Sequence, residues 1–417
     1  MLLVVLWIAA FVLMVLGITL ALGAAMQGRK FARRFERSDR EGFVVYQPRA
    51  AVIVPFKGLE PGLEAHLDRL CSQAYDDYVL VLVVESRDDP VYAVLQAQRD
   101  RFPDRITVLV AGIAPPTRGQ KVHNQLAGIA HLQAVDGGET VWAFADSDAA
   151  PSDDWLGRLV GPLVQPQTGA TTGYRWLVPD DKAGAVTGWT HLASVMNSSV
   201  MGFAGTGLFR YAWGGSMALR VETAATGRLV DYLDGALSDD YQLTAMCRDL
   251  GLRIYFVHQC VVASPIALTL GELVGFVRRQ YLITRTHSLG IYVAGLTTLG
   301  LWTLAMVSTW AALILGLWWE PGRPGWMIAA ATLVIVAILH QVRAHYRQQA
   351  MAHALGADAP KRYAATLRVD RWLTPWWMVV HLLLMASALV GRTIHWRGRA
   401  YRIDAPTRVR QVGAVED

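Results

Sequence analysis

Cysteine is scarce in this chain. Cys71, Cys247 and Cys260 are the only three, and they lie far apart. Their spacing fits no metal or redox motif and excludes a disulfide-built extracellular fold, so buried thiols are expected. No Gly-x-Gly-x-x-Gly follows an apolar run, which disfavours a dinucleotide-binding fold. His191, His258 and His287 have no ligand spacing, and His123 reads as a satisfied helix residue. Internal repeats and low-complexity tracts are missing. No basic residue precedes the first apolar stretch, which argues against a signal peptide. Net charge is also small, at +5. The basic residues cluster beside apolar runs, as lipid headgroups favour, and no nucleic acid partner is expected.

What the chain does have is apolar surface. Of 417 residues, 53% are hydrophobic and 18% charged, and the mean hydropathy is +0.28. That is too apolar for a soluble domain alone and too charged for membrane helices alone. A soluble domain with several membrane spans is expected. Leu2–Met26 is an unbroken apolar stretch followed at once by Arg29, Lys30, Arg33, Arg34 and Arg37. The positive-inside rule makes this an anchor whose C-terminal end faces the cytoplasm. Ile291–Trp318, Trp326–Val342 and Trp376–Val390 are three further span candidates, flanked by tryptophans as interfacial belts are. Glu320–Pro324 is short enough to make the first two a hairpin. Leu268–Thr284 alternates leucines with Arg278 and Arg279, as a helix in the headgroup plane does.

Organisation follows from these features. Residues 1–27 form an anchor and 45–267 a cytoplasmic domain. An amphipathic interfacial helix covers 268–288, three C-terminal transmembrane helices 289–392 and a basic tail 393–417. The 343–371 connection and the tail are equally basic, so charge does not choose the tail's side. Three C-terminal crossings put it outside, whereas one re-entrant segment puts it inside.

Within the domain, apolar runs at Ala50–Pro55, Tyr78–Val84, Ile106–Val110 and Val141–Ala145 alternate with helical patterns. That rhythm predicts an α/β fold with a parallel, Rossmann-like sheet. Short strands are expected at Met217–Arg220, after Gly214-Gly215-Ser216, and at Arg253–Phe256. The fourth run ends in Asp146-Ser147-Asp148. Two acids beyond the carboxyl end of a strand suit a hard divalent cation shared with a ligand's phosphates. A turn that opens a helix is the alternative. Glu85, Asp88 and Asp89 follow the second run, and Asp239 and Asp240 begin a helix, where acids also simply complement the helix dipole. Lys121 and Asn124 open another helix.

The set of motifs resembles the family 2 glycosyltransferases with the A-type nucleotide-diphospho-sugar transferase fold, nearest the ceramide glucosyltransferase group. The residues that carry the resemblance are Val54-Pro55-Phe56-Lys57-Gly58, Asp88-Asp89-Pro90, Lys121-Val122-His123-Asn124, Asp146-Ser147-Asp148, Ser238-Asp239-Asp240-Tyr241 and Val277-Arg278-Arg279-Gln280-Tyr281. It spans roughly residues 50–287 and implies an integral membrane protein of glycolipid biosynthesis, in the inner or plasma membrane if bacterial. The expected reaction is inverting transfer of a sugar, glucose or N-acetylglucosamine, from a UDP-sugar to a lipid hydroxyl. Lys57, Glu85 and Asp88 would lie by the base and ribose. Asp146 and Asp148 would hold Mn²⁺ or Mg²⁺ on the diphosphate, and Asp146 and Lys121 belong to the same donor site. Asp240 would be the general base, with Asp239 beside it as the alternative. Arg278, Arg279 and Arg285 would supply positive charge to the phosphates, and Tyr281 would stack in the donor site.

Two positions depart from the family pattern. Ser86 stands where an aspartate is usual, and Gln280 where an arginine is usual; glutamine does not replace a guanidinium's charge. A processive polysaccharide synthase and a non-catalytic membrane scaffold with a degenerate donor site are the competing readings.

Overall fold

The computed structural model describes residues 2–41, 45–60, 62–148, 151–319 and 325–414. The chain divides into two compact units. Arg37–Ala185, Ala204–Ala267 and Gly391–Asp417 make an α/β unit; Met1–Glu36, Val186–Phe203 and Leu268–Val390 make a helical one.

The α/β unit is built on β1 (Ala50–Phe56), β2 (Tyr78–Val84), β3 (Ile106–Val110), β4 (Val141–Ala145), β5 (Thr168–Pro179), β6 (Ser216–Arg220) and β7 (Arg253–Ile266). They form one sheet in the order β3-β2-β1-β4-β6-β5-β7. β1 pairs parallel with β2 and β4, and β2 with β3, as the βα alternation predicts. β5 also pairs parallel with β7, so the expectation of a parallel sheet fails only at β6. β6 runs antiparallel to both β4 and β5, so the sheet is mixed.

Strand alternation sorts the core into two faces. Val52, Val54, Leu80 and Leu82 pack on one face with Leu67, Leu95 and Leu156. Ile53, Val81 and Val83 pack on the other with Val122, Ile129 and Leu243. Because β1 is buried along its whole length, it reads as a continuous apolar run, as a strand covered on both faces does. β5 escaped the sequence reading because Thr168–Gly173 is small and threonine-rich, although it is buried. The three cysteines are buried and unpaired, as expected.

This topology gathers one edge. The carboxyl ends of β1, β2 and β4 lie together, and antiparallel β6 starts there: Ala145 pairs with Ser216. Helices Gln120–Val135 and Asp239–Asp249 contribute their first residues, Lys121, Asp239 and Asp240, to the same cluster.

The basic tail is folded over residues 393–414. β8 (Thr393–Trp396), β9 (Arg399–Ala405) and β10 (Arg408–Ala414) form an antiparallel sheet. Trp396 pairs with Arg399 across a two-residue turn. Arg397 and Gly398 both take left-handed φ, 51° and 71°, the type I′ geometry that matches strand twist.

In the helical unit, three helices among the described residues are long and apolar enough to cross a membrane: Val5–Arg40, Leu289–Trp318 and Gly325–Leu355. The third C-terminal candidate forms helix Thr374–Ser387, with 14 residues. At 1.5 Å per residue it is roughly 21 Å long, short of a bilayer core of about 30 Å. The chain after it, Gly391–Asp417, belongs to the α/β unit. Glu320–Pro324 lies outside the described residues.

Candidate active site

Lys121 is the hub. Its Nζ lies 2.7 Å from Asp146 and 3.1 Å from Asp239. Gln125, one helical turn on, donates to Asp239 at 2.6 Å. Burial by itself would lower the Lys121 pKa, but Asp146 and Asp239 outweigh it and raise it. Burial likewise acts to raise Asp146, but Lys121 first, then Arg175 and Arg397, hold it below the ordinary carboxylate value.

Two glycines make this approach possible. A Cβ on Gly214 would lie 2.5 Å from an Asp239 oxygen and 2.8 Å from Lys121 Nζ. One on Gly215 would lie 2.6 Å from Asp146 Oδ2. Any side chain here would displace the carboxylates, so the Gly214-Gly215 pair before β6 is a cradle for them. His66, on helix Leu63–Cys71, meets the Ser147 carbonyl at 3.2 Å and steadies the Asp-Ser-Asp turn.

Asp148 faces Arg175 of β5 at 3.5 Å. Arg175 sits 5.8 Å above the Trp213 ring, and Tyr174 packs on the same ring. Lys121 takes one Asp146 oxygen, while Oδ2 fills the space that a Cβ on Gly215 would occupy. Asp146 and Asp148 thus offer hard carboxylate oxygens on a single turn. That donor set fits a hard divalent cation whose remaining ligands are phosphate oxygens and water. Among the described residues no three His, Cys, Asp or Glu side chains gather into a self-sufficient metal site.

Asp239 and Asp240 differ in environment. Asp239 is buried and held by Lys121 and Gln125. Asp240 is half-buried; the Ser238 hydroxyl and, at 2.7 Å, the Tyr241 amide donate to it. Burial, and then the neighbouring Asp239 charge, push Asp240 up to about 6.

At the ends of β1 and β2, Lys57 lies 3.7 Å from Glu85. Asp88 bonds to the Ser86 hydroxyl at 3.1 Å and is exposed. Asp89 instead accepts from the Gly58 amide, 3.0 Å away, and from the first amide of helix Val91–Arg101, and so ties two loops together. His123 is satisfied by the Ala111 carbonyl at 3.1 Å, as expected for a helix residue.

Arg278, Arg279 and Tyr281 lie in the helical unit. Arg278 donates to the Ser387 and Val390 carbonyls, and Arg285 to those of Ala388 and Leu389. These are the orphan carbonyls at the end of helix Thr374–Ser387, which cations satisfy. Arg279 stacks on Phe276, and Tyr281 bonds to His381.

Sequence reasoning missed Glu60, Arg175, Arg397 and Arg399. Arg397 pairs with Glu60, and Arg399 pairs with Glu85 while donating to Gln120 at 2.6 Å. The signal was faint: an arginine on each side of Gly398, in a tail read as uniformly basic.

A model of glycosyl transferase family 21 matches residues 9–409. The motifs had pointed to family 2 and its ceramide glucosyltransferase group; the number given by the match is 21. No curated protein matches the chain. Among solved structures, it is similar to a mannosyltransferase from Pyrobaculum calidifontis, in complex with GDP-Man and Mn2+. Identity is 18%, with 90% of this chain and 99% of that chain covered, and the TM-score is 0.44.

Proposed function

The chain belongs to glycosyl transferase family 21, and from that premise we propose that it moves one sugar from a UDP-sugar to a lipid hydroxyl, with inversion, as ceramide glucosyltransferases do. Glucose or N-acetylglucosamine is the sugar of choice, and the α/β unit faces the cytoplasm. The observation that carries this reading is the chain of charge Asp240–Asp239–Lys121–Asp146, which couples a half-buried carboxylate with a pKa of about 6 to the acidic turn.

The division of labour follows from the surroundings. Asp239 Oδ2 is held by both the Lys121 ammonium and the Gln125 amide, so that oxygen is committed. Asp240 keeps an exposed portion, and its raised pKa brings its basicity close to working pH, where a general base is most effective. Its carboxylate takes the acceptor's hydroxyl proton as that oxygen attacks the sugar's anomeric carbon. The Ser238 hydroxyl and the Tyr241 amide fix its orientation. Asp146 and Asp148 would hold Mn²⁺ or Mg²⁺. That ion, when bound, neutralises charge on the departing diphosphate. Arg175 adds fixed positive charge beside Asp148. Glu85, paired with Lys57, would receive the nucleoside in place of the family's usual aspartate at Ser86.

The test uses the purified full-length protein with UDP-glucose or UDP-N-acetylglucosamine and ceramide or diacylglycerol in vesicles, with products read by mass spectrometry. Glycosylated lipid should form with wild type and be lost in Asp148→Ala. That substitution removes one partly exposed carboxylate and should change stability by within about half a kcal/mol. Full activity in Asp148→Ala with either donor defeats the proposal, as does the absence of both lipid product and donor hydrolysis.

A further inference from the structure

The last strands of the chain reach into the site just described. Lys57 donates to the Arg397 carbonyl at 3.1 Å, which fixes the turn between β8 and β9 at the end of β1. Arg397 pairs with Glu60 and Arg399 with Glu85. The opposite turn is held as well. Gln242 donates to the Pro406 carbonyl at 2.9 Å, and the Gln411 amide to that of Pro116 at 2.6 Å. Gly235 comes so close to the Thr407 carbonyl that a Cβ would collide with it. The hairpin is therefore anchored at both ends on loops that frame the sheet's carboxyl edge.

We propose that this hairpin is a wall of the donor site and that Arg397 is a ligand for the nucleoside diphosphate. The inference rests on the reading of the site as a nucleotide-sugar site. Three observations carry it. First, the Arg397 guanidinium is 48% exposed, whereas the Glu60 carboxylate that holds it is 9% exposed. Glu60 engages one of its nitrogens, and a guanidinium has five N–H donors in a planar fork. It can keep that contact and still grip a phosphate. Second, Arg397 acts electrostatically on Asp146, and Glu60, its partner, feels Asp146 and Asp148, so the guanidinium's charge reaches the acidic turn. Third, a diphosphate brought to these carboxylates needs compensating charge. Lys121 is committed to Asp146 and Asp239, and Arg175 is turned to Asp148. The left-handed Arg397-Gly398 turn is the device that presents a cation here from the far end of the sequence.

The experiment is calorimetry on the purified full-length protein, titrating UDP, GDP and uridine, each with EDTA and with Mn²⁺. Wild type should bind one of the diphosphates. Arg397→Ala should weaken that binding about tenfold or more, the loss expected for one charge-assisted contact, and leave uridine binding unchanged. Arg397→Gln keeps much of the length and hydrogen bonding and should lose a similar amount, which separates lost charge from a disturbed turn. Arg408→Ala, an exposed arginine on the same small sheet, should bind like wild type. Equal diphosphate affinity in wild type and Arg397→Ala overturns the inference and leaves the proposed function standing. Tighter binding in the variant also overturns it, because the hairpin would then obstruct the site. Wild type that binds neither diphosphate removes the proposed function and this inference together.

Discussion

The Lys121 ammonium lies 2.7 Å from the Asp146 carboxylate, and its other contact is Asp239 at 3.1 Å. One cation therefore joins the acidic turn after β4 to the helix that bears Asp240. Its side chain is 15% exposed, so the pair is neither dry nor freely hydrated. Removing one partner of such a pair leaves the other charges uncompensated. Lys121→Met should lower stability by about 2–3 kcal/mol, less than the loss for a fully buried pair because of solvent screening. Thermal or urea unfolding checks this. A midpoint unchanged from wild type would show that the bridge contributes nothing.

Gly215 tests the cradle. Gly215→Ala puts a methyl group where Asp146 Oδ2 and the Trp213 ring now lie. Overpacking of this kind typically costs about 1–3 kcal/mol. Turnover should fall together with stability because the displaced atom belongs to the acidic turn. Gly188 has open space around its α-carbon, so Gly188→Ala is the matched control. Wild-type activity in Gly215→Ala would mean that the turn relaxes without consequence.

Asp240 sets the pH dependence. As a base it works only when ionised, so kcat should rise with pH through about 6 and then level off. The effect on stability has the opposite sense. A carboxyl group whose folded pKa is raised binds its proton more tightly in the native state. It therefore favours folding at acid pH, and that contribution is lost as pH rises from about 4 to about 6. Asp240→Asn should transfer sugar about 10²–10⁴-fold more slowly, bind donor normally, and be more stable than wild type above pH 6 but not below pH 4. If Asp239→Asn alone abolished transfer, the assignment would be wrong by one residue.

The tail and the sheet domain should lie on one side of the membrane. Asp181 and Arg408 are exposed positions in the two parts, and the native cysteines are buried. Asp181→Cys and Arg408→Cys should label alike in opened membranes. In intact cells an impermeant maleimide should leave both unmodified. Labelling of only one would place the tail across the bilayer from the domain; labelling of both would invert the proposed orientation.

The strands that carry the site were legible because each is a short, continuous apolar run, the pattern of a strand buried on both faces. Asp146, Asp148, Asp239 and Asp240 were legible because the ends of such runs and the starts of helices are local features, fixed by residues a few positions apart. The long apolar helices were legible from composition and length.

Other features depended on contacts between distant segments. β5 has no apolar run to announce it, and its place beside β6 and β7 is settled by pairing. Nothing local distinguishes Lys121, as a helix-opening residue, from a surface lysine; its role follows from meeting Asp146 and Asp239 at once. The last apolar segment ran on to Val390 as a candidate span, yet its helix stops at Ser387 and the chain after it returns to the sheet unit. Arg397 and Arg399 show the limit most clearly. Net charge is a sum over the chain and records that the tail is basic, whereas Coulomb interaction falls with distance through space. Only the folded chain brings those two arginines to Glu60 and Glu85, more than three hundred positions earlier.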